Sequence, residues 1–167
     1  WGEFNLFSFR STIDALPHLA LAKGNVGIVG KDGKPISNDA PVLVRMHRRN
    51  LLGDIFDEGE APSGPILRSA LKKISEANQG VLVYLRPEFG SDPLSSMLQR
   101  IMRQSMSFEK PDYQKYLESP EQQSQREFGV GAQILRQLGI TRIRLLTNTS
   151  RHRPGLGGFG IEIIEEV

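Results

Sequence analysis

The sequence predicts an α/β domain in which helices pack on a mixed β-sheet. Three observations carry that reading. Hydrophobic residues recur with a period of two in some stretches and of 3.6 in others, the pattern of strands and helices in alternation. The run Val81-Leu82-Val83-Tyr84-Leu85 is continuously apolar, as in a strand covered on both faces. The chain has 167 residues, 38% of them hydrophobic and none of them cysteine, which suits one compact domain that buries a sizeable core without disulfides.

Taken in order, Phe4, Leu6, Phe7 and Phe9 suggest a first strand, and His18-Leu19-Ala20-Leu21-Ala22 a second that ends at Gly24. Lys31-Asp32-Gly33-Lys34 reads as a hairpin turn, because Asp-Gly tolerates the positive φ that such a turn needs. Residues Pro41 to His47 give the third strand. From Ser63 onward, Ile66, Leu67, Ala70, Leu71 and Ile74 fall on one helical face, and Asn78-Gln79-Gly80 is a suitable stop. The apolar strand at 81–85 follows. A second helix is predicted over Leu94 to Met106, with Met97 and Met102 as core filler. The polar stretch 107–125 reads as a mobile loop or a short surface helix. A third helix, Arg126 to Leu138, buries Phe128, Ala132, Leu135 and Leu138 before Gly139, and strands at 143–147 and 161–164 close the chain. There is no internal repeat and no sign of a second domain.

Charge and hydropathy narrow the function classes. Lys and Arg total 21 against 19 Asp and Glu, a formal charge of +2 without a concentrated basic stripe, so a nucleic acid polymer is not the expected partner. No apolar run of 18 residues and no signal-peptide pattern occur, so neither membrane insertion nor secretion is expected, and a cytoplasmic setting fits. The opening Trp1-Gly2-Glu3-Phe4 runs at once into strand-like residues without an initiator Met, and reads as a piece cut from a longer protein.

Three stretches carry a family resemblance: Arg45 to Phe56, Gly80 to Glu88, and Phe128 to Asn148. In the last, Gly131-Ala132-Gln133-Ile134-Leu135 leads through Leu138-Gly139-Ile140 to Leu145-Leu146-Thr147-Asn148. With them in register, nearly the whole chain resembles GTP cyclohydrolase II, the zinc enzyme that opens the guanine ring of GTP at the start of riboflavin biosynthesis. The resemblance implies that family's mixed α/β fold. It also implies three zinc-binding cysteines, whose positions here hold Asn50, Ala61 and Ser63, with Gly64 still in register. Catalytic zinc takes three protein ligands, drawn from thiolate, imidazole or carboxylate, and lowers the pKa of its bound water to about 7. Alanine and neutral amide or hydroxyl groups do not replace such ligands, so no zinc and no other cofactor is expected.

Other positions depart from the family pattern as well. A glutamine after the cysteines becomes Ile66, and Gln-Glu-Gly-Arg becomes Pro87-Glu88-Phe89-Gly90. Asp-x-Arg becomes Ser124-Gln125-Arg126, which loses the implied general base, and the lysine near the end is most nearly replaced by His152. Arg45, His47, Glu88 and Thr147 remain as implied nucleotide or phosphate contacts, and Arg126 as a residual catalytic position. As a group they could hold GTP or another phosphorylated ligand; singly, each could equally be structural. Arg126 at a helix start would oppose the helix dipole, which favours a functional reason for it. The acidic run Asp54, Asp57, Glu58 and Glu60 reads as a solvated loop, and His18, His47 and His152 have no ligand spacing. In this family the domain commonly follows a 3,4-dihydroxy-2-butanone 4-phosphate synthase domain in one chain. The resemblance therefore implies a linked synthase partner and a homodimer.

Overall fold

Six strands, β1 (Asn5–Phe9), β2 (His18–Lys23), β3 (Val42–Arg48), β4 (Gly80–Leu85), β5 (Arg142–Leu145) and β6 (Glu162–Glu166), form one sheet in the order β1-β2-β4-β3-β5-β6. β1 and β2 pair antiparallel, as do β2 and β4, while β4, β3, β5 and β6 run parallel. The sheet is therefore mixed, as the sequence predicts. The computed structural model describes residues 1–12, 14, 16–38, 40–57, 63–86, 120–148 and 155–167, with 120–125 and 155 as backbone alone. The predicted helix at 94–106 lies outside the described residues.

Four helices are described: α1 (Leu51–Ile55), α2 (Gly64–Glu76), α3 (Pro120–Gln137) and α4 (Gly155–Gly158). Because strand side chains alternate between faces, the sheet has two cores. On one face Leu43 of β3 and Leu82 of β4 pack with Ala70 and Ile74 of α2. On the other, Val42, Val44, Val81, Val83 and Ile143 pack with Ala132 and Leu135 of α3, beside Leu138 just past its end. β4 is thus covered on both sides, which explains its unbroken apolar sequence.

Some boundaries differ from expectation for identifiable reasons. α3 begins at Pro120, so 120–125 are the first turns of this long helix and not a mobile loop or a separate short surface helix, and 107–119 lie outside the described residues. The segment Glu121-Gln122-Gln123-Ser124-Gln125 has no apolar periodicity to betray it. Glu and Gln are nonetheless good helix formers, and proline is favoured at a first helical position. Arg126 accordingly sits inside the helix and not at its start, so the dipole argument for a functional role falls. α1 and α4 are too short to show a period. α2 ends where Asn78, not glycine, adopts φ 55°. Gly80 answers a different need, since a Cβ there would lie 2.7 Å from the Leu43 carbonyl oxygen in the neighbouring strand. α3 closes as expected on Gly139, at φ 77°, with Ile140 N–H donating to Leu135 O and Gly139 N–H to Arg136 O. The turn at 31–34 is present, with Gly33 at φ 75° and a bridge between Val29 and Pro35.

The sheet's edges are unlike. On β6, Glu162 and Glu165 pair with Arg142 and Arg144 of β5 at 3.4 and 2.6 Å. The opposite edge, β1, carries the uncharged sequence Asn5-Leu6-Phe7-Ser8-Phe9 with Leu6 exposed.

Candidate functional site

β3 has parallel neighbours on both sides, reached by connections that leave in opposite directions. In open α/β sheets, ligands bind in the crevice outside the carboxyl ends of strands at such a switch point. A cavity of about 250 Å³ opens there, on the α2 face. Arg45 lines it from β3, Leu146, Thr147 and Asn148 from the end of β5, Val167 from the end of β6, and Pro65, Ile66, Ser69, Ala70 and Lys73 from α2. Arg45 Nη1 donates to Leu146 O at 3.0 Å and to Asn148 Oδ1 at 3.1 Å, which joins β3 to the segment after β5. Thr147 is held by its amide, which donates to Val167 O. Ile66 was expected in the core; it is half-buried and forms cavity wall instead.

Two residues along β3, His47 takes no part in this cavity. Its ring stacks on Tyr84, its register partner on β4, with centroids 5.6 Å apart and planes 10° from parallel. Its Nε2 lies 2.8 Å from Asp54 Oδ1. Asp54 is also the acceptor for the Ser63 hydroxyl at Oδ1, and for the Asn50 amide at 3.0 Å and the Tyr84 hydroxyl at 2.7 Å at Oδ2. An ionised carboxylate only accepts, so His47 Nε2 carries hydrogen. Burial pushes the Asp54 carboxyl up, but the hydrogen bonds from Ser63, Tyr84, Asn50 and His47 outweigh it and hold the pKa below the ordinary aspartate value. Burial, and then the hydrogen bond to Asp54 and its charge, push the Tyr84 phenol well above its usual range, against Arg49 and Arg86. The reading of Asp54 as a solvated loop residue is thus corrected: it is 7% exposed. Asp57 is exposed and bridges to Arg68 at 2.8 Å, while Glu58 and Glu60 lie outside the described residues.

This cluster occupies the place where the resemblance implies zinc. Asn50 caps α1, its Oδ1 accepting from Gly53 N–H at 3.3 Å, and Ser63 is turned to Asp54. Ala61 lies outside the described residues, and a methyl group offers no lone pair. Among the described residues, neither Asn50 nor Ser63 offers a thiolate, imidazole or carboxylate at these positions.

Arg126 belongs to the other face. Its Nη2 donates to Asp14 Oδ1 at 3.3 Å, and Asp14 Oδ2 lies 3.1 Å from His18 Nε2. Because His18 Nδ1 accepts from the Arg86 amide at 2.9 Å, the ring hydrogen sits on Nε2 and points at Asp14. This buried pair ties the loop before β2 to α3 and to the end of β4. Of the five surviving family positions, then, Arg45 and Thr147 share the cavity and His47 adjoins it. Arg126 stands apart, and Glu88 lies outside the described residues, as does His152. Sequence reasoning missed Asp54, Tyr84, Asp14 and Lys73. The Asn50-to-Asp54 spacing across an N-cap was the one signal that could have found Asp54.

Next to Arg126, Glu127 lies 3.2 Å from Arg48 Nε. Burial, the largest influence, raises its pKa; Arg48 and Arg126 oppose that, and Asp14 adds to it. A carboxyl whose folded pKa is raised costs stability in full above the folded value; the cost shrinks as pH falls below that value and is gone below the unfolded one, roughly pH 4.3. Glu127→Gln is therefore expected to raise the melting temperature by about 2 °C near neutral pH and to leave it unchanged at about pH 4, checked by circular dichroism melts.

The family model for GTP cyclohydrolase II matches residues 1–167. Riboflavin biosynthesis protein RibBA of Bacillus cytotoxicus is 36% identical over 167 residues, all of this chain and 39% of the relative. The protein of that name from Bacillus cereus gives the same figures, and that of Parabacteroides distasonis is 34% identical over all of this chain and 38% of the relative. The chain thus spans less than two-fifths of the length of these relatives. With the match covering every residue from Trp1 to Val167 and a mixed α/β sheet built on the same sequence, the chain belongs to the GTP cyclohydrolase II family.

Proposed function

We propose that the chain is a zinc-free GTP cyclohydrolase II domain of a cytoplasmic riboflavin-biosynthesis protein. It performs no ring opening of its own and acts as a structural, dimerising or regulatory partner of a linked 3,4-dihydroxy-2-butanone 4-phosphate synthase domain. The observation that carries this reading is the use made of the implied ligand positions: Asn50 caps a helix and Ser63 donates to a carboxylate. Neither supplies the thiolate that the chemistry draws on. The relatives, more than twice as long as this chain, support a linked partner.

The test is to incubate the purified chain with GTP and added zinc, measuring formate, diaminopyrimidine product and bound metal. No formate is expected; turnover with stoichiometric zinc would overturn the reading. Removal of residues 1–167 from the parent protein is expected to lower synthase activity or change its oligomeric state, and full activity in an unchanged assembly would sink the partner role.

A second reading rests on the cavity at the switch point. Arg45, with Thr147 and Lys73 lining the same cavity, suits the anionic end of GTP or another phosphorylated compound. Calorimetry with GTP on the wild type and on Arg45→Ala separates the readings: heat that Arg45→Ala abolishes supports binding, and none at millimolar ligand leaves the structural role.

A further inference from the structure

Four elements meet where the family resemblance implies a metal: the end of β3, the cap of α1, the start of α2, and β4. Such a corner needs a cross-link, because the connection from β3 to β4 turns twice within it and buries polar groups that must be satisfied. A zinc ion cross-links by drawing ligands from separate segments to one point. Here the point is the Asp54 side chain.

We infer that Asp54 cross-links this corner, so that the chain closes it with a hydrogen-bonded carboxylate and needs no bound ion to fold. A carboxylate has about four lone-pair positions, and all four are engaged. Oδ1 accepts from His47 of β3 and Ser63 before α2; Oδ2 accepts from the Asn50 amide and from Tyr84 of β4. The two side chains that could otherwise turn to an ion are committed too. His47 directs Nε2 to Asp54 and stacks on Tyr84, and Asn50 Oδ1 takes the Gly53 amide. Space is equally committed, since even a Cβ on Gly53 would lie 2.8 Å from Ser63 Oγ. An incoming cation would have to strip Asp54 of its donors, and the buried His47 ring among them would be left unpaired.

The inference deepens the zinc-free reading of function and rests on it only for the metal's absence; its test reads stability, not turnover. The purified 167-residue chain is dialysed against a chelator, melted, and then titrated with cobalt(II) as a spectroscopic probe. Chelation is expected to leave the melting temperature within about 1 °C, and cobalt to produce no tetrahedral absorption band. Tyr84→Phe and Ser63→Ala each remove one donor without leaving Asp54 bare, and each is expected to lower the melting temperature by about 3–8 °C. These two variants keep the test decisive if Asp54→Asn fails to fold. A chelator-induced fall of several degrees, a tetrahedral cobalt band, or wild-type melting of both variants overturns the inference. Formate release with chelator-insensitive melting would sink the functional reading and leave this one standing. Chelator-sensitive melting without formate would do the reverse.

Discussion

Replacing Asp54 with alanine is expected to lower the melting temperature by about 10 °C, or to unfold the chain outright. The substitution removes one acceptor and strands four donors: the His47 ring, the Tyr84 and Ser63 hydroxyls, and the Asn50 amide. Each unsatisfied buried group costs about 1–3 kcal/mol, but Ser63, Asn50 and Tyr84 lie only half-buried and regain water, so the sum settles nearer 3–5 kcal/mol. For a chain of this size each kcal/mol shifts the midpoint by about 2–4 °C. The same carboxylate sets an acid limb. Its folded pKa lies below the unfolded value of about 3.9, so its contribution is fully present above that value and is lost as pH falls through the folded one. Asp54→Asn should flatten the decline in melting temperature below about pH 4 while lowering stability at neutral pH. Circular dichroism melts across that range check both limbs. An unchanged acid limb would remove Asp54 from the account.

Leu135→Ala is expected to cost about 2–5 kcal/mol. Leu135 is fully buried on α3 against the sheet, among the side chains that fill the larger core. Truncation leaves a void that the strands cannot close, because β3 and β5 are hydrogen-bonded on both sides. Leu135→Met keeps the volume and is expected to cost less than about 1.5 kcal/mol. Urea denaturation of the two variants checks the difference, which should appear in the midpoint and not in the slope. Equal midpoints would mean that α3 is not packed as described.

The strands were legible because burial dictates their pattern. Continuous Val81 to Leu85 announced a strand between two layers, and alternation placed β2 and β3 within a residue or two. What escaped was what burial does not pattern. α1 has five residues and only an N-cap to announce it, and the first turns of α3 are polar all round. The site was half legible. The family frame marked Arg45 and Thr147, and the structure brings them to one cavity. It also marked the ligand positions at Asn50 and Ser63 as changed. It did not mark what fills their place, because Asp54 sits in an acidic run that resembles any solvated loop. Only the fold turns that one carboxylate inward to meet Tyr84, 30 residues away. Arg126 misled in the opposite way, since its apparent unease at a helix start vanished once α3 gained a further six residues.

The unlike edges of the sheet bear on how copies of the chain could meet. A strand added beside β6 would lay its backbone against Glu162, Glu165 and Glu166, and would have to displace or desolvate the arginine pairs that hold two of them. A strand added beside β1 meets no charge at all between Asn5 and Phe9, and it would cover exposed Leu6. Among the described residues, β1 is therefore the edge that offers a further strand no charged side chain to displace.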